Sequence, residues 1–330
     1  MTDKISPFQE YDFRVSEEQS GQRLDLFLSA MILDLSRSHL KRLINEKQVV
    51  VNGTPAKPSH EIRAGDSISV KMVEETDEAL RPTAMHLDIL YEDQDLIIVN
   101  KPPGLVVHPG AGHPEGTLVH GLLSHCTLAI QGAPLRPGIV HRLDKDTSGA
   151  LVAAKSERAY LNLIGQFKER EVKKEYLAMV YGHPDTGEGE ISSLLGRHPT
   201  DRKKIAVLSG RGRPALSLWR VVKDWGETSL LSVRIETGRT HQIRVHLSHI
   251  GHPVIGDEPY GGGGRRAKNV KCGPVRDALL GANRQMLHAA RLEFSHPVTG
   301  APVLAIAPPP EDFKDLAEKL EALSRCRQSR

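Results

Sequence analysis

Short apolar runs separated by turns fill the chain from about residue 84 to residue 310. Their length and their content of β-branched and aromatic residues are typical of strands. Only two amphipathic helices are predicted among them, near residues 156–168 and 240–250. Because strands and helices do not alternate strictly, the pattern favours an α+β fold with a mixed, mostly antiparallel sheet over a doubly wound α/β fold. The predicted strands are Leu87–Tyr91, Leu96–Asn100, Ala150–Ala154, Tyr176–Tyr181, Leu216–Val222 and Leu230–Ile235.

A smaller unit is predicted before this region. Apolar residues at helical spacing indicate two short helices, and the second, which Ser36 or Ser38 could cap, has a basic outer face. Short strands follow, one of which ends in the hairpin-type turn Asn52-Gly53. The expected inward residues are Leu24, Phe27, Leu28 and Met31, then Leu40, Leu43 and Ile44; the outward cations are Arg37, Lys41 and Arg42.

Charge is distributed unevenly along the chain. The formal net charge of the 330 residues is only +3, but basic residues concentrate in the segments 37–63, 197–213 and 261–276. Segregated positive charge is typical of proteins that bind nucleic acid. No apolar stretch is long enough to span a membrane, the N-terminus lacks a signal-peptide pattern, and the three cysteines form no Cys-x-x-Cys pair. We therefore expect a cytoplasmic protein with a polyanionic partner.

The run His141–Gly149, which reads His-Arg-Leu-Asp-Lys-Asp-Thr-Ser-Gly, is the strongest candidate for chemistry. It lies between Gly138–Val140, where a strand is predicted to begin, and the strand Ala150–Ala154. Polar side chains between two buried strands cost free energy unless they have partners. Such a position is often functional, and Asp144 is its central carboxylate.

Two simpler interpretations of this run are a calcium loop and a plain turn. The calcium loop is disfavoured because its twelfth position, which needs a bidentate Glu, is Lys155. A turn in which Asp and Ser accept hydrogen bonds from backbone amides stays open on local chemistry alone.

Cofactor and metal motifs are missing from the sequence. The run Gly261–Gly264 is expected to be a flexible loop, and it matches neither of the phosphate-binding glycine patterns. His241, His246 and His249 fall on one predicted helix, but their spacing does not align all three, and acidic or cysteine co-ligands are lacking nearby. We therefore expect no metal and no cofactor.

Four further segments complete the catalytic pattern. Together with the Asp144 run they resemble the RluA-type pseudouridine synthases, and the resemblance covers nearly all of residues 84–310. The stretches His108–Gly112 and Gly196–Thr200 look most like the RluD branch, whose members modify clustered uridines in a stem-loop of large-subunit ribosomal RNA. The four segments are Asn100–Gly104, Lys173–Tyr176, Thr237–His246 and Arg284–Ala289.

The smaller unit resembles the S-four-type RNA-binding domain. The segments Gly21–Asp25, Val50–Gly53 and Ala64–Asp66 all sit where that family has them. These resemblances imply a domain organisation: an RNA-binding domain over residues 20–75, a linker at 76–84, a pseudouridine synthase domain over 85–310, and a C-terminal helix and tail over 311–330.

The resemblance also implies a reaction and roles within it. Conversion of uridine to pseudouridine breaks the bond from ribose to N1, rotates the base and rejoins it through C5, without a cofactor. Asp144 is then the catalytic carboxylate, as a nucleophile or as a base. Arg244, whose fork can grip a carboxylate at two points, keeps it ionised. Tyr176 stacks on the uracil and helps to remove the C5 proton. Arg142 fills the space that the flipped base leaves, and Leu287 packs against that base.

RNA binding is expected from further cations, and other functions stay open. The alternatives are pseudouridine formation in transfer RNA, a catalytically silent RNA-binding or ribosome-assembly factor, and glycoside hydrolysis. The last usually needs a second carboxylate across the bond, and Asp146 would point to the opposite face of a strand. A monomer that acts on ribosomal RNA, free or in an assembling large subunit, is the simplest expectation. The expected RNA-binding residues are Arg37, Lys41, Arg42, Arg197, Arg202, Lys203 and Arg239.

Overall fold

The computed structural model describes residues 8–32, 37–73, 80–110, 112–130, 136–201 and 203–328, without the side chains of residues 8, 9, 37–39, 42, 72, 73 and 326–328. The chain divides into two compact units, Met1–Ala79 and Leu80–Arg330. No helix in the described part of the chain is long and apolar enough to cross a membrane.

The first unit combines a four-stranded antiparallel sheet with two helices. Its strands pair in the order β1-β4-β2-β3. Asn52 and Gly53 have positive φ angles of 51° and 78°, as a tight hairpin turn between β2 and β3 requires. The predicted inward residues are buried except Met31, which is 44% exposed. The proposed cap Ser36 and the side chain of Ser38 lie outside the described residues. The elements are β1 (Phe8–Arg14), α1 (Leu24–Met31), α2 (Arg37–Asn45), β2 (Val49–Val51), β3 (Thr54–Pro55) and β4 (Ser67–Val73).

A ten-stranded sheet forms the frame of the second unit. The order is β10-β9-β11-β12-β8-β13-β7-β6-β5, and β14 pairs with β13. Every pair is antiparallel except β13 with β7, so the predicted mixed, mostly antiparallel sheet is confirmed. The strands are β5 (Ile89–Glu92), β6 (Leu96–Lys101), β7 (Ser148–Ala154), β8 (Lys173–Tyr181), β9 (Glu188–Arg197), β10 (Ile205–Leu208), β11 (Arg213–Asp224), β12 (Thr228–Ile235), β13 (Leu287–Ser295) and β14 (Pro302–Ile306).

Six helices accompany this sheet in the described residues. Two of them, α4 and α5, correspond to the amphipathic helices that the spacing predicts, and α8 buries Phe313, Leu316 and Leu320 against α7 and the sheet. The helices are α3 (Leu118–His125), α4 (Glu157–Glu169), α5 (Gln242–His249), α6 (Gly264–Lys268), α7 (Gly273–Leu280) and α8 (Glu311–Gln328).

The structure differs from two local predictions. Residues 138–140 do not begin a strand, and only Ile139 forms an isolated bridge, with Ala153. The run 261–264 was expected to be a flexible loop, but its two middle glycines are closely packed, since a Cβ atom at Gly262 would overlap the carbonyl oxygen of Val254 and one at Gly263 would overlap the carboxylate of Glu258. A Cβ atom at Gly261 or Gly264 would meet open space. Here the missing side chains permit close backbone contact, which composition alone does not distinguish from flexibility.

Candidate active site

A cavity of about 470 Å³ in the second unit brings together residues from distant parts of the sequence. Its wall comes from the loop before β7, the end of α4, β8, the segment from β12 into α5, and the start of β13. Of the residues singled out in the sequence, the cavity contains Arg142, Asp144, Tyr176, Arg239, Arg244 and Leu287.

Asp144 lies in the loop that enters β7, a strand that is buried along its whole length. The Thr147 amide donates to the carbonyl oxygen of Asp144 at 3.1 Å, so the backbone does form a turn here. The Asp144 side chain accepts no backbone amide of the described residues, so the predicted capping by this side chain is wrong. The Asp144 side chain itself is 17% exposed and faces the cavity. Within the described chain, its Oδ1 atom accepts no hydrogen bond. A turn thus presents a carboxylate with one unengaged oxygen.

Lys101, at the end of β6, holds the loop that contains Asp144 in place through a hydrogen bond. Its ammonium group is fully buried and donates to the carbonyl oxygens of Pro102, Leu105 and Lys145 at 2.8, 2.9 and 2.9 Å. Burial lowers the pKa of Lys101 to about 7, although the charges of Asp146 and Asp144 oppose the shift. The bond to residue 145 ties the Asp144 loop to the neighbouring strand.

Arg244 connects two carboxylates. Its Nη1 donates to Asp144 Oδ2 at 3.1 Å, while Nε and Nη2 donate to both oxygens of Asp257 at 2.7 and 2.8 Å. The two-point grip therefore falls on Asp257, which is fully buried, and Asp144 receives a single N–H. Burial opposes the charge of Arg244, but the hydrogen bonds and charges of Asp257 and Asp144 outweigh it and raise the Arg244 pKa.

The start of α5 is locked in place by Gln242. Its side-chain oxygen accepts bonds from the Thr237 hydroxyl and the Arg239 amide, at 2.8 and 3.0 Å. Its amide nitrogen donates to the Leu216 carbonyl and the Ser217 hydroxyl of β11, both at 3.0 Å. This buried network fixes the helix start, and with it the position from which Arg244 reaches Asp144.

His241 is a further neighbour of Asp144, with its Nε2 atom 3.8 Å from Asp144 Oδ2. Its Nδ1 lies 2.8 Å from the Tyr260 hydroxyl, which also accepts the Ile205 amide at 3.0 Å. Burial lowers the pKa of His241 and outweighs the opposing charge of Asp144, so the ring is neutral at pH 7. His241 is therefore a neutral polar neighbour of Asp144, and Arg244 is the cation that contacts Asp144.

Tyr176 and Leu287 are buried and also line the cavity. They are 7% and 3% exposed and share one hydrophobic core cluster, so both side chains pack in the core as well as line the cavity. The Tyr176 hydroxyl has no hydrogen-bond partner in the described part of the chain. Burial, with a contribution from the charge of Asp144, raises the Tyr176 pKa well above its usual value of 10, so the phenol stays protonated.

Two other predicted RNA-binding residues of this unit, Arg197 and Lys203, are not among the residues that line the cavity. Arg197 ends β9 and Lys203 lies in the turn after it. In the first unit, Lys41 Nζ lies 3.4 Å from the carboxylate of the buried Asp25, which Arg23 also contacts at 2.9 Å. The side chains of Arg37 and Arg42, and residue Arg202, lie outside the described residues.

One group of potential metal ligands occurs in the described ranges, Asp93, Asp95 and His296. Asp93 already accepts bonds from the Tyr91 hydroxyl and from His296 Nε2, both at 2.7 Å, and Asp95 accepts one from Ser156 at 2.6 Å. These carboxylates are engaged in a hydrogen-bonded turn. His246, from the histidine group considered in the sequence, lies 2.9 Å from both the Ser193 and Ser217 hydroxyls.

Sequence reasoning missed Asp257, Tyr260 and the positioning contacts of Lys101. Asp257 follows the apolar run Val254–Gly256, and an acid after such a run is a weak signal of a buried partner. The segment from Asp257 to Gly262 folds back on itself, and the Gly262 amide donates to the Asp257 carbonyl oxygen at 2.8 Å. This turn, which the sequence does not reveal, places Asp257 beside Arg244. The glycine run thus contributes to holding Asp257.

Family models match both units of the chain. Residues 95–249 match the model described as RNA pseudouridylate synthase, and residues 22–68 match the S4 domain. Among solved structures, human RNA pseudouridylate synthase domain containing 1 has a TM-score of 0.52 and 29% identity, covering 72% of this chain and 95% of its own.

Curated relatives match nearly the whole chain. Ribosomal large subunit pseudouridine synthase D of Escherichia coli K12 is 43% identical over 309 residues, which is 93% of each protein. An uncharacterized RNA pseudouridine synthase of Synechocystis is 45% identical over 306 residues, which is 92% of this chain and 90% of the relative. The chain therefore belongs to the RluA-type family of RNA pseudouridine synthases, near its RluD branch, and carries an S4 domain in its first unit.

Proposed function

We propose that this enzyme converts uridine to pseudouridine in large-subunit ribosomal RNA, as a cytoplasmic monomer, with Asp144 as its catalytic carboxylate. The ribosomal target is supported by the relative from Escherichia coli, which is named for the large subunit and is 43% identical. One observation supports the assignment of Asp144: its carboxylate faces the cavity. Arg244 donates to its Oδ2 atom, and no described residue donates to its Oδ1 atom.

Base flipping brings the substrate to this carboxylate. A uridine within a stem must leave the stack to reach a cavity, at a cost of a few kcal/mol. Arg142 is exposed at the cavity and makes no ion pair with a described residue, so its side chain is free to occupy the vacated space. Tyr176 and Leu287 supply an apolar wall for the flipped base.

The reaction uses the unengaged oxygen of Asp144. As a nucleophile, Oδ1 attacks the base or the sugar; as a base, it removes a proton from the sugar. In either route the bond from C1′ to N1 breaks, the uracil rotates and C5 joins C1′, while Asp144 is released from its adduct or returns the sugar proton. The C5 proton then leaves and N1 takes up a proton, so that the product is an isomer of the substrate. Because the Tyr176 phenol stays protonated, it assists this last step as a relay that accepts the C5 proton while it passes its own proton to solvent water.

A pseudouridine map tests the proposal. Unmodified bacterial large-subunit RNA is treated with the wild type or with Asp144→Asn, labelled with carbodiimide and read by primer extension. New stops in one stem-loop with the wild type alone are expected. Normal conversion by Asp144→Asn would rule out the role of Asp144. Stops on transfer RNA, with none on ribosomal RNA or assembling particles, would move the target to transfer RNA.

A further inference from the structure

Lys174 is a buried cation in the wall of the catalytic cavity, and the mechanism above does not use it. It lies two residues before Tyr176 on β8, so the two side chains point to the same face of the strand. Both line the cavity. Lys174 is only 7% exposed, as Tyr176 is.

The ammonium group of Lys174 lacks a polar partner among the described residues, because it makes neither a hydrogen bond nor an ion pair with them. Its Nζ atom instead lies 5.5 Å from the centre of the Phe167 ring. Burial lowers the Lys174 pKa, opposed by the charge of Glu236 and reinforced by that of Arg170. A contact with an aromatic face compensates only in part for the hydration that a buried ammonium loses.

Other lysines of this unit show that such a position is unusual. Lys173, the next residue on β8, is exposed on the opposite face and lies 2.7 Å from Glu293. Lys101 is buried more deeply, but three carbonyl oxygens accept its hydrogen bonds. A buried cation that opens into a cavity without such partners indicates a ligand that brings an acceptor.

The cavity favours an anion as that ligand. Lys168, Arg170 and Arg239 line the same cavity, and its acids are Asp144 and Glu236. Glu236 already accepts a bond from Arg234 Nε at 3.0 Å, and Asp144 one from Arg244. An RNA substrate brings a phosphate on each side of the flipped nucleotide, and a phosphate compensates a buried ammonium more fully than a neutral uracil carbonyl does.

We propose that Lys174 binds a backbone phosphate adjacent to the flipped uridine, with Arg170, which lines the same cavity, as a supporting charge. This inference rests on the proposed function, since it takes RNA as the substrate. The buried Lys174 ammonium then lowers the stability of the free enzyme and strengthens its binding to the RNA strand.

The test compares Lys174→Met with Lys173→Met, which removes a neighbouring lysine from the other face of β8. Binding of an unmodified large-subunit RNA transcript is titrated at several salt concentrations in an Asp144→Asn background, and kcat and KM are measured in the otherwise native enzyme. Lys174→Met is expected to unfold at the same or a higher temperature, to bind RNA up to about tenfold more weakly, and to lose about 0.7–0.9 from the slope of log K against log salt. We expect kcat to change little. Lys173→Met is expected to keep the slope.

Several outcomes would overturn the inference. A wild-type affinity and slope in Lys174→Met would show that no phosphate is bound, and a lower kcat with an unchanged slope would indicate a contact with the base instead. If Lys174→Met does not fold, Lys174→Gln is used instead, because it removes the charge while retaining a polar end. The same salt titration then shows whether the slope of log K against log salt is smaller than in the wild type. Failure of the proposed function is distinct, because the wild type itself would then convert no uridine in ribosomal RNA.

Discussion

Three charged side chains of this site, Asp257, Arg244 and Asp144, are joined by hydrogen bonds. Arg244 lies between Asp257 and Asp144, and the two-point contact fixes its guanidinium on Asp257. Only Nη1 remains for Asp144, at 3.1 Å. Since one positive charge is shared by two carboxylates, Asp144 is kept in place without being fully neutralised. That arrangement fits the catalytic role that we propose for Asp144.

Asp257→Asn should therefore affect both stability and turnover. The substitution removes the charge that faces two nitrogen atoms of a buried guanidinium, and breaking a buried ion pair costs about 3–5 kcal/mol. Because Asp144 still faces Arg244, we expect the lower end of that range in the free energy of unfolding, measured with urea. Turnover should fall at least about tenfold, since Arg244 can then shift toward Asp144.

Asp277→Asn is the matched control for this change. The Asp277 carboxylate is 71% exposed, and Arg276 lies 3.5 Å away. An exposed pair of this kind contributes at most about 1 kcal/mol, so stability and turnover should stay near wild type. Wild-type stability in Asp257→Asn would contradict the structural role given to Asp257.

Tyr176→Phe separates the ring of Tyr176 from its hydroxyl. The hydroxyl has no hydrogen-bond partner in the described residues, so its removal should change stability by less than about 1 kcal/mol. A proton relay contributes about 10²–10⁴-fold, so turnover should fall by a factor in that range while RNA affinity is kept. Single-turnover rates and equilibrium titrations check this, and full turnover would show that only the ring is used. Because the Tyr176 pKa is raised, wild-type activity should show no loss from its ionisation up to about pH 10.

At the scale of helices and strands, six strands of the large sheet were predicted, namely β5, β6, β7, β8, β11 and β12, whereas β9, β10, β13 and β14 were not. β6, β7 and β8 are apolar over most of their length, and the alternation in α4 is that of an amphipathic helix. β9 reads Glu-Gly-Glu-Ile-Ser-Ser-Leu-Leu-Gly-Arg, with two glycines and few β-branched residues, so local propensity argues against a strand. Its Gly189 is explained only by tertiary packing, since a Cβ there would lie 2.7 Å from the Trp219 ring.

The same limit applies to the active site. Asp144, Tyr176 and Arg244 stand in recognisable local runs, and the fold brings them to one cavity. Asp257 stands in no such run, and its importance comes from the buried guanidinium that faces it after folding. Lys174 does stand in the run Lys173–Tyr176, but the run gives it no role, because the lack of a polar protein partner among the described residues is visible only in the folded structure.

The attachment of α5 to the sheet predicts a pH dependence of stability. His246 is fully buried between Ser193 of β9 and Ser217 of β11, and burial lowers its pKa from 6.5 to about 4. Below pH 6.5 the unfolded chain takes up a proton that the folded chain resists. The contribution of His246 is therefore complete above pH 6.5 and is lost as the pH falls towards 4, by roughly 3 kcal/mol.

Urea denaturation between pH 7 and pH 4 checks this expectation. His246→Gln should reduce the fall in stability over that range, and His86→Gln, at an exposed histidine, should leave it unchanged. The fall should not vanish in His246→Gln, because burial also lowers the pKa of His108, His141 and His288. An identical pH dependence in the wild type and His246→Gln would contradict the contribution assigned to His246.

At the scale of the whole molecule, RNA binding and chemistry are assigned to different units. The first unit has its own core, which includes Leu24, Leu40 and Val70, and the second unit has separate cores of its own. We propose that residues 20–75 anchor the RNA while residues 85–310 carry out the reaction. Lys41 has a structural contact as well, since its ammonium lies 3.4 Å from the buried Asp25.

Deletion of residues 1–79 should weaken RNA binding and reduce its salt dependence, because lost phosphate contacts release fewer counterions. The catalytic unit should still fold, since the cores of residues 80–330 are complete without the deleted part. As a control for truncation, Arg37 and Arg42 are replaced by Gln in the full chain, with Lys41 kept for its contact with Asp25. Each lost phosphate contact should lower the slope of log K against log salt by about 0.7–0.9. If both the deletion and the double substitution keep the wild-type slope on an unmodified large-subunit RNA transcript, the first unit is not the RNA anchor, and the cations of the second unit must supply the binding.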